Sequence, residues 1–204
     1  AEVKNIEVDK SGTATGIVID DVLIPSDIVL SGADYHHTEQ LLPVKYRQYT
    51  EKYWNTRKFA PSSLLFYVGF DKKVENVSHH TLFFDVDFDA HASYIYDTLE
   101  WPKDPLFYAN FPSKSDTTFA PEGKESATFL IPIAIGLEDT EELREKYFNI
   151  VLERLEKLTN NSLKESVSFV KSYCVKDFID DYNSFKGNAY GLANTLTQTA
   201  FLRP

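Results

Sequence analysis

Two adjacent histidine pairs, His36-His37 and His79-His80, and the acidic run Asp85-Val86-Asp87-Phe88-Asp89 are the residues best suited by type to metal or acid–base chemistry. Imidazole is a common metal ligand. Sequence neighbours, however, diverge by about 100° on a helix and face opposite sides of a strand, so each pair supplies at most one ligand. The acidic run opens like a calcium loop and then departs from it. Ala90 stands where the sixth position needs glycine, and Tyr96 where the twelfth needs a bidentate glutamate. A strand end with Asp87 capping the next helix explains the run better, and we expect no metal site. The glycines at 12, 16, 32, 69, 123, 136, 187 and 191 contain no Gly-x-Gly-x-x-Gly, so this stretch does not itself hold a dinucleotide pyrophosphate. A Walker loop and a Gly-x-Ser-x-Gly nucleophile elbow are absent for the same reason.

Two other groups carry more information. The run Gly187-Asn188-Ala189-Tyr190-Gly191-Leu192-Ala193-Asn194, followed by Gln198-Thr199-Ala200 and Arg203-Pro204, is punctuated by glycines that let backbone approach a ligand or another backbone closely. Upstream, Lys45, Arg47, Lys52, Arg57 and Lys58 interleave with Tyr46, Tyr49, Tyr53, Trp54 and Phe59, opposed locally only by Glu51. Such a segment fits a membrane surface, or a surface helix whose aromatic side packs on the core; composition alone favours the second. Ser62 and Ser63 open an apolar strand, where satisfying the strand edge is the simplest role.

The elements that must position these residues follow from periodicity. Alternation over 3–8 and 13–19 with a turn between predicts a hairpin, and Ile28-Val29-Leu30 a short buried strand before Ser31-Gly32-Ala33-Asp34. Helical spacing runs from Tyr35 to Arg57, with Pro43 opening a second helix. Strands are expected at 61–70, 80–84, 106–111, 126–133 and 167–173, and short helices at 87–96 and 177–182. The clearest helix spans 140–158, with Thr140 as N-cap, Glu141 and Glu142 in its first turn, and Leu143, Tyr147, Ile150, Val151, Leu155 and Leu158 on one face. Strands and helices mix without a βαβ beat, which predicts an α+β fold.

The chain has 204 residues, 43% of them hydrophobic, enough for a substantial core. A net charge of -10 argues against nucleic acid as a partner. The single cysteine, Cys174, permits no internal disulfide; it fits a reducing compartment and a buried structural thiol. No apolar stretch reaches the roughly 18 residues of a spanning helix. Ala1 leads directly into strand-like sequence and methionine is absent, so we expect an interior piece of a longer protein.

The terminal Gly-x-Ala-aromatic-Gly-Leu run with its Gln-small-Ala and Arg-Pro sequel resembles the phytoene desaturase type of carotenoid desaturase, as do the hairpin and Ser31-Gly32-Ala33-Asp34, Ser63 to Gly69, and Pro121 to Gly123. The resemblance implies a parent enzyme that uses FAD to desaturate a long apolar polyene in carotenoid biosynthesis. The alternatives are another apolar substrate (a hydroxycarotenoid, a retinol-like polyene or an amine) or a non-enzymatic module for apolar ligands or membranes. It further implies a remnant of the flavin domain over 1–34, including the hairpin, a substrate domain with a mixed sheet and covering helices over 35–183, and a return segment over 184–204. Val3, Ala33, Gly187, Tyr190 and Gly191 would stand on the flavin side, and Leu65 with Tyr67, or the opposite set Leu64 with Phe66, would line the polyene cavity. The hairpin and the terminal run should pack together. The piece alone is expected to be inactive and not to retain FAD, since both ends of the flavin site are missing. A cytoplasmic location against the inner face of the membrane would follow, with Lys45, Arg47, Tyr49, Tyr53 and Trp54 as contacts. No catalytic residue is assigned.

Overall fold

The computed structural model describes residues 1–203; the final proline of the terminal motif, Pro204, lies outside them. The hairpin forms as β1 (Val3–Val8) and β2 (Ala14–Ile19), its loop tied by Asp9 Oδ1, which accepts from the amides of Ser11 (2.8 Å) and Thr13 (3.0 Å). Asp20 and Asp21 both take positive φ, 49° and 61°, the geometry of a two-residue hairpin turn. That turn sets Val22–Pro25 (β3) directly against β2, making a three-stranded sheet. The expected strand at Ile28-Val29-Leu30 is therefore not formed. The register engages 22–25 instead, and 28–30 becomes a connection in which Leu30 is 94% exposed.

The expected helical stretch 35–57 breaks into α1 (Tyr35–Gln40), a single 3-10 turn (Val44–Tyr46) and α2 (Glu51–Thr56). Pro43 precedes the 3-10 turn at φ -54, ψ 140, as its cap rather than as a first-turn residue of a second α-helix. The break has a further cause in Glu39. Its carboxylate is buried and accepts from the amides of Gln48 (2.7 Å) and Tyr49 (3.3 Å), donors a continuous helix would give to its own carbonyls. The other oxygen accepts from Trp54 Nε1 at 3.1 Å, drawing α2 back onto α1.

The main sheet is antiparallel, in the order β5-β6-β7-β4-β8, from β4 (Ser62–Phe70), β5 (His80–Phe83), β6 (Phe107–Asn110), β7 (Glu125–Ile133) and β8 (Val167–Tyr173). Alternation decides its faces. Leu64, Phe66, Val68 and Phe70 of β4 join Phe129, Ile131 and Ile133 of β7 in the core beneath α4 (Glu141–Thr159). Helix α4 contributes Tyr147, Val151, Leu152 and Leu155, each such side chain worth about 1.5–3 kcal/mol when buried. Thr140 caps α4 by accepting from Leu143 N, and Asn160 in the left-handed region ends it. Of the face expected for this helix, Leu158 falls outside and is exposed. Asp87 caps α3 (Phe88–Ser93) as expected, accepting from Asp89 N and Ala90 N. With α5 (Val175–Tyr182) on the β8 side, the fold is α+β.

Candidate functional site

Two sequence motifs far apart in the chain meet. Asp34 Oδ1 caps α1 by accepting from His37 N (3.2 Å), while its Oδ2 accepts from Asn188 Nδ2 (3.0 Å). Asn188 Oδ1 in turn accepts from Gly191 N at 2.6 Å. The glycine run is further fixed to the start of β4: Ser62 Oγ donates to Gly187 O (2.6 Å) and Ala60 N to Gly191 O (2.8 Å). Gln198 is buried and clasps Lys58, accepting from its amide (3.0 Å) and donating to its carbonyl (2.7 Å). The hairpin is fastened to a neighbouring segment, through Ile6 N to Leu41 O and Tyr46 OH to Asp9 O. Among the described residues no hydrogen bond joins hairpin and terminal run directly: the expected packing of the two is replaced by an indirect link through 34–46.

The two glycines of the run differ. Gly187 has φ 66, and a Cβ there would stand 2.6 Å from both Val175 Cγ1 and Val175 O, so its glycine is demanded by packing against α5. Gly191, at φ 75, has open space where a Cβ would project, and Tyr190 beside it is 63% exposed. Val3 and Ala33 line one cavity of about 900 Å³, between the hairpin, the 28–33 connection and the end of α5; Gly187, Tyr190 and Gly191 are not among its lining residues.

The second feature is the sheet face opposite α4. Register places Leu65 opposite Leu130 and Tyr173, Tyr67 opposite Thr128 and Lys171, and Tyr108 opposite Leu130 and Leu82. Leu65 and Tyr67 therefore stand on this open face, whereas Leu64 and Phe66 are sealed in the core. Tyr67 is 42% exposed, and Leu82 and Phe169 of the same face are exposed as well. The face has polar margins. His80 Nδ1 pairs with Tyr108 OH at 2.6 Å, and the buried oxygens Ser63 Oγ and Asn110 Oδ1 have no hydrogen-bond partner. Ser62 satisfies the strand edge as expected, while Ser63 does not.

The basic aromatic segment is corrected in one respect. Trp54 is 1% exposed, at the centre of a cluster with Phe59 and Leu192, so it cannot serve as a surface contact. Tyr49 and Tyr53 are half-buried and stack at 4.0 Å, Arg47 is held by Gln40 and Leu42, and Lys45 is exposed. Elsewhere the polar groups serve the fold. Arg144 bridges Asp139 (2.6 Å) and Asp177 (2.7 Å), tying α4 to α5. Burial pushes the Cys174 thiol up to about 12, as befits a structural cysteine. His91 links Leu106 N (2.8 Å) to Pro132 O (2.7 Å), and burial lowers its pKa. Among the described residues no group of three or more His, Cys, Asp or Glu side chains could hold a metal ion, and no helix is long and apolar enough to cross a membrane. Sequence reasoning missed Glu39 and the open-face partners on β6 and β7; the Asp34–Asn188 bond joins two runs already singled out.

No protein-family model matches the chain. It is 42% identical over its whole length to a carotenoid 3,4-desaturase of Haloarcula japonica, covering 41% of that protein. It is 36% identical over 68% of its length to a phytoene desaturase of Fusarium fujikuroi, covering 24% of it. A 4,4'-diapophytoene desaturase of Staphylococcus haemolyticus is 30% identical over the full chain, which covers 43% of that protein. The chain thus spans about two fifths of the relatives it matches end to end. A solved oxidoreductase from Methanosarcina mazei superposes on 85% of the chain with a TM-score of 0.54, at 18% identity and covering 36% of that structure, a likeness of fold. The relatives bear out the resemblance read from the sequence: the chain is related over its full length to carotenoid desaturases.

Proposed function

We propose, from this full-length relation to carotenoid desaturases, that the chain supplies the substrate side of an FAD-dependent enzyme that lengthens the conjugation of a long apolar polyene. The observation that carries the proposal is the open face of the five-stranded sheet. One face is sealed by α4, while the other leaves Tyr67, Leu82 and Phe169 exposed beside the half-buried Leu65, Tyr108 and Leu130, with α5 packed on Tyr173 of the outer strand β8. Such a surface suits a ligand that offers only dispersion contacts and an apolar area to bury. Holding the polyene flat and dry against a reactive group is the protein's part in such chemistry, and needs no acid–base triad.

The flavin would accept a hydride from the polyene when bound. The residues here fit one margin of such a group and not its pyrophosphate. Val3 and Ala33 line the larger cavity, and Gly191 leaves room for close approach beside Tyr190. Gly187 acts differently: it lets the run pack on Val175, and so holds Tyr190 and Gly191 in place. In this reading 1–34 and 184–204 belong with the flavin side and 35–183 with the substrate. The protein would lie in the cytoplasm against the inner face of the membrane from which polyenes are drawn, with Lys45 and the exposed Val44 presented to it.

Titration of the 204-residue chain with an all-trans polyene, followed by quenching of tyrosine and tryptophan emission, tests the proposal. Wild type should bind, and Tyr67→Asp and Leu130→Asp should each weaken binding about tenfold or more, a charge on a contact surface removing over 1.4 kcal/mol. Core-side changes such as Val68→Ala should lower stability and leave the affinity of the folded protein unaltered. Equal affinity in wild type and both aspartate variants would refute the assignment of this face.

A further inference from the structure

A second cavity, of about 370 Å³, lies where the end of α2 and the start of β4 meet the residues just after β7. The volume suits a small ligand or the head of a larger one. Three cations stand around it, Arg57, Lys58 and Lys186, and no carboxylate does. Among the described residues none of the three forms an ion pair with Asp or Glu. In a chain with 31 acidic and 21 basic residues, such a cluster runs against the general balance.

The cations are also held in place. The Arg57 guanidinium lies 4.5 Å from the centroid of the Tyr53 ring, and its Nη2 donates to Thr56 Oγ1. Its Nε is buried with no acceptor, a donor whose desolvation nothing in the chain offsets. Lys58, which lines the cavity, has both backbone groups clasped by Gln198. Lys186 sits in the left-handed region at φ 55, ψ 25, its carbonyl accepting from Gly136 N at 2.8 Å. Phe59, Ile95 and Ile135 make an apolar wall in the same lining. That wall continues into a π-helical turn, Tyr94–Thr98, ended by Leu99 at φ 54, ψ 54. A non-glycine residue in that region is disfavoured by about 1–2 kcal/mol, and here two of them border one cavity.

We propose that this pocket binds the anionic head of an amphiphile, a phosphate or carboxylate carried on an apolar tail. The Arg57 guanidinium, which meets no carboxylate, supplies directed donors to the anion, Lys58 and Lys186 supply charge, and the Phe59–Ile95–Ile135 wall takes the first part of the tail. The assignment stands on these groups alone and does not require the open sheet face to bind a polyene.

Calorimetric titration of the full 204-residue chain tests it with three probes: dihexanoyl phosphatidylglycerol below its micelle concentration, a neutral amphiphile of equal chain length, and inorganic phosphate. The phosphatidylglycerol should bind about tenfold or more tighter than either of the others, since each lacks one half of the recognition. The Arg57→Gln/Lys186→Gln double variant should bring it to the level of the neutral amphiphile. Lys146→Gln/Lys157→Gln on α4 should leave it unchanged, and circular dichroism would establish that both variants are folded. Unaltered binding by the folded Arg57/Lys186 variant would overturn the proposal, as would equal affinity for the neutral amphiphile. Inorganic phosphate binding as tightly as the lipid would overturn the amphiphile assignment. Should the Arg57/Lys186 variant not fold, Ile135→Glu, which places a carboxylate in the wall, must abolish lipid binding or the proposal fails. Phosphatidylglycerol vesicles identify the source: binding that the Arg57/Lys186 variant loses means a headgroup drawn from a bilayer, and capture of monomers alone means a free amphiphile.

Discussion

Removing the Glu39 carboxylate should destabilise the fold by releasing the loop and α2 that it pins to α1. Glu39 is 2% exposed and no cation pairs with it among the described residues; its partners are the amides of Gln48 and Tyr49 and the indole of Trp54. In Glu39→Ala all three donors lose their acceptor. A stranded buried donor costs about 1–3 kcal/mol. The indole is fully enclosed, while Gln48 is exposed enough for water to reach its amide in part, so the three together should cost about 3–5 kcal/mol. At about 2–4 °C per kcal/mol for a chain of this size, Tm should fall by about 6–20 °C. Glu39→Gln keeps one oxygen, which can accept from both loop amides, but turns an NH2 group toward the indole N–H. It should cost about 1.5–3 kcal/mol, between wild type and alanine. Removing the indole donor with Trp54→Phe should then reduce the penalty of Glu39→Gln, a coupling that a double-mutant cycle measures. The assay is urea and thermal unfolding followed by tryptophan emission. An alanine variant within about 0.5 kcal/mol of wild type, or a glutamine variant less stable than alanine, would refute the account, because a surface carboxylate would behave that way.

Two further outcomes follow from the same geometry. Gly187→Ala drives a methyl group to within 2.6 Å of Val175 O, a backbone atom, at φ 66; we expect a loss of about 2–4 kcal/mol that Val175→Ala does not rescue, read by chemical denaturation. Burial works to raise the Asp139 pKa, but the Arg144 guanidinium and the Lys176 amide outweigh it and hold the carboxyl below its ordinary value. Its contribution to stability is thus full above the unfolded-state pKa of about 3.9 and is lost as pH falls below it. Asp139→Asn should flatten the fall of stability as pH drops below about 4 relative to wild type, and parallel slopes would show that the pairing contributes nothing there.

How far the sequence reveals this arrangement depends on the range of the interaction that fixes each part. Helix α4 is local: a threonine cap, two acidic first-turn residues and a repeating apolar face lie within 19 residues, and the structure reproduces all of these but Leu158. Strand β4 was legible as a strand but not as to facing, since both residue sets are apolar; only its pairing with β7 and the cover of α4 decide that Leu64 and Phe66 go inward. The strand expected at 28–30 failed because apolar content marks a segment able to pair without saying which segment is in register. The turn at Asp20-Asp21 had already committed 22–25 to β2.

The basic aromatic segment shows the same limit from the other side. Its composition fits both a membrane helix and a core-packed helix while favouring the second, and the choice falls to Glu39, a glutamate that looks like a surface residue of α1. Only when its carboxylate is seen to collect two loop amides and an indole does it become clear why Trp54 turns inward and why the helix stops where it does. With that bracket closed, Arg57 and Lys58 emerge from the end of α2 with nothing acidic to meet them, and Asp34 is held where Asn188 can reach it. One buried carboxylate thus sets both the junction of the two glycine-bearing motifs and the free cations of the smaller cavity. Loosening it should affect ligand binding at both places together, whereas a change confined to the open sheet face should leave them intact.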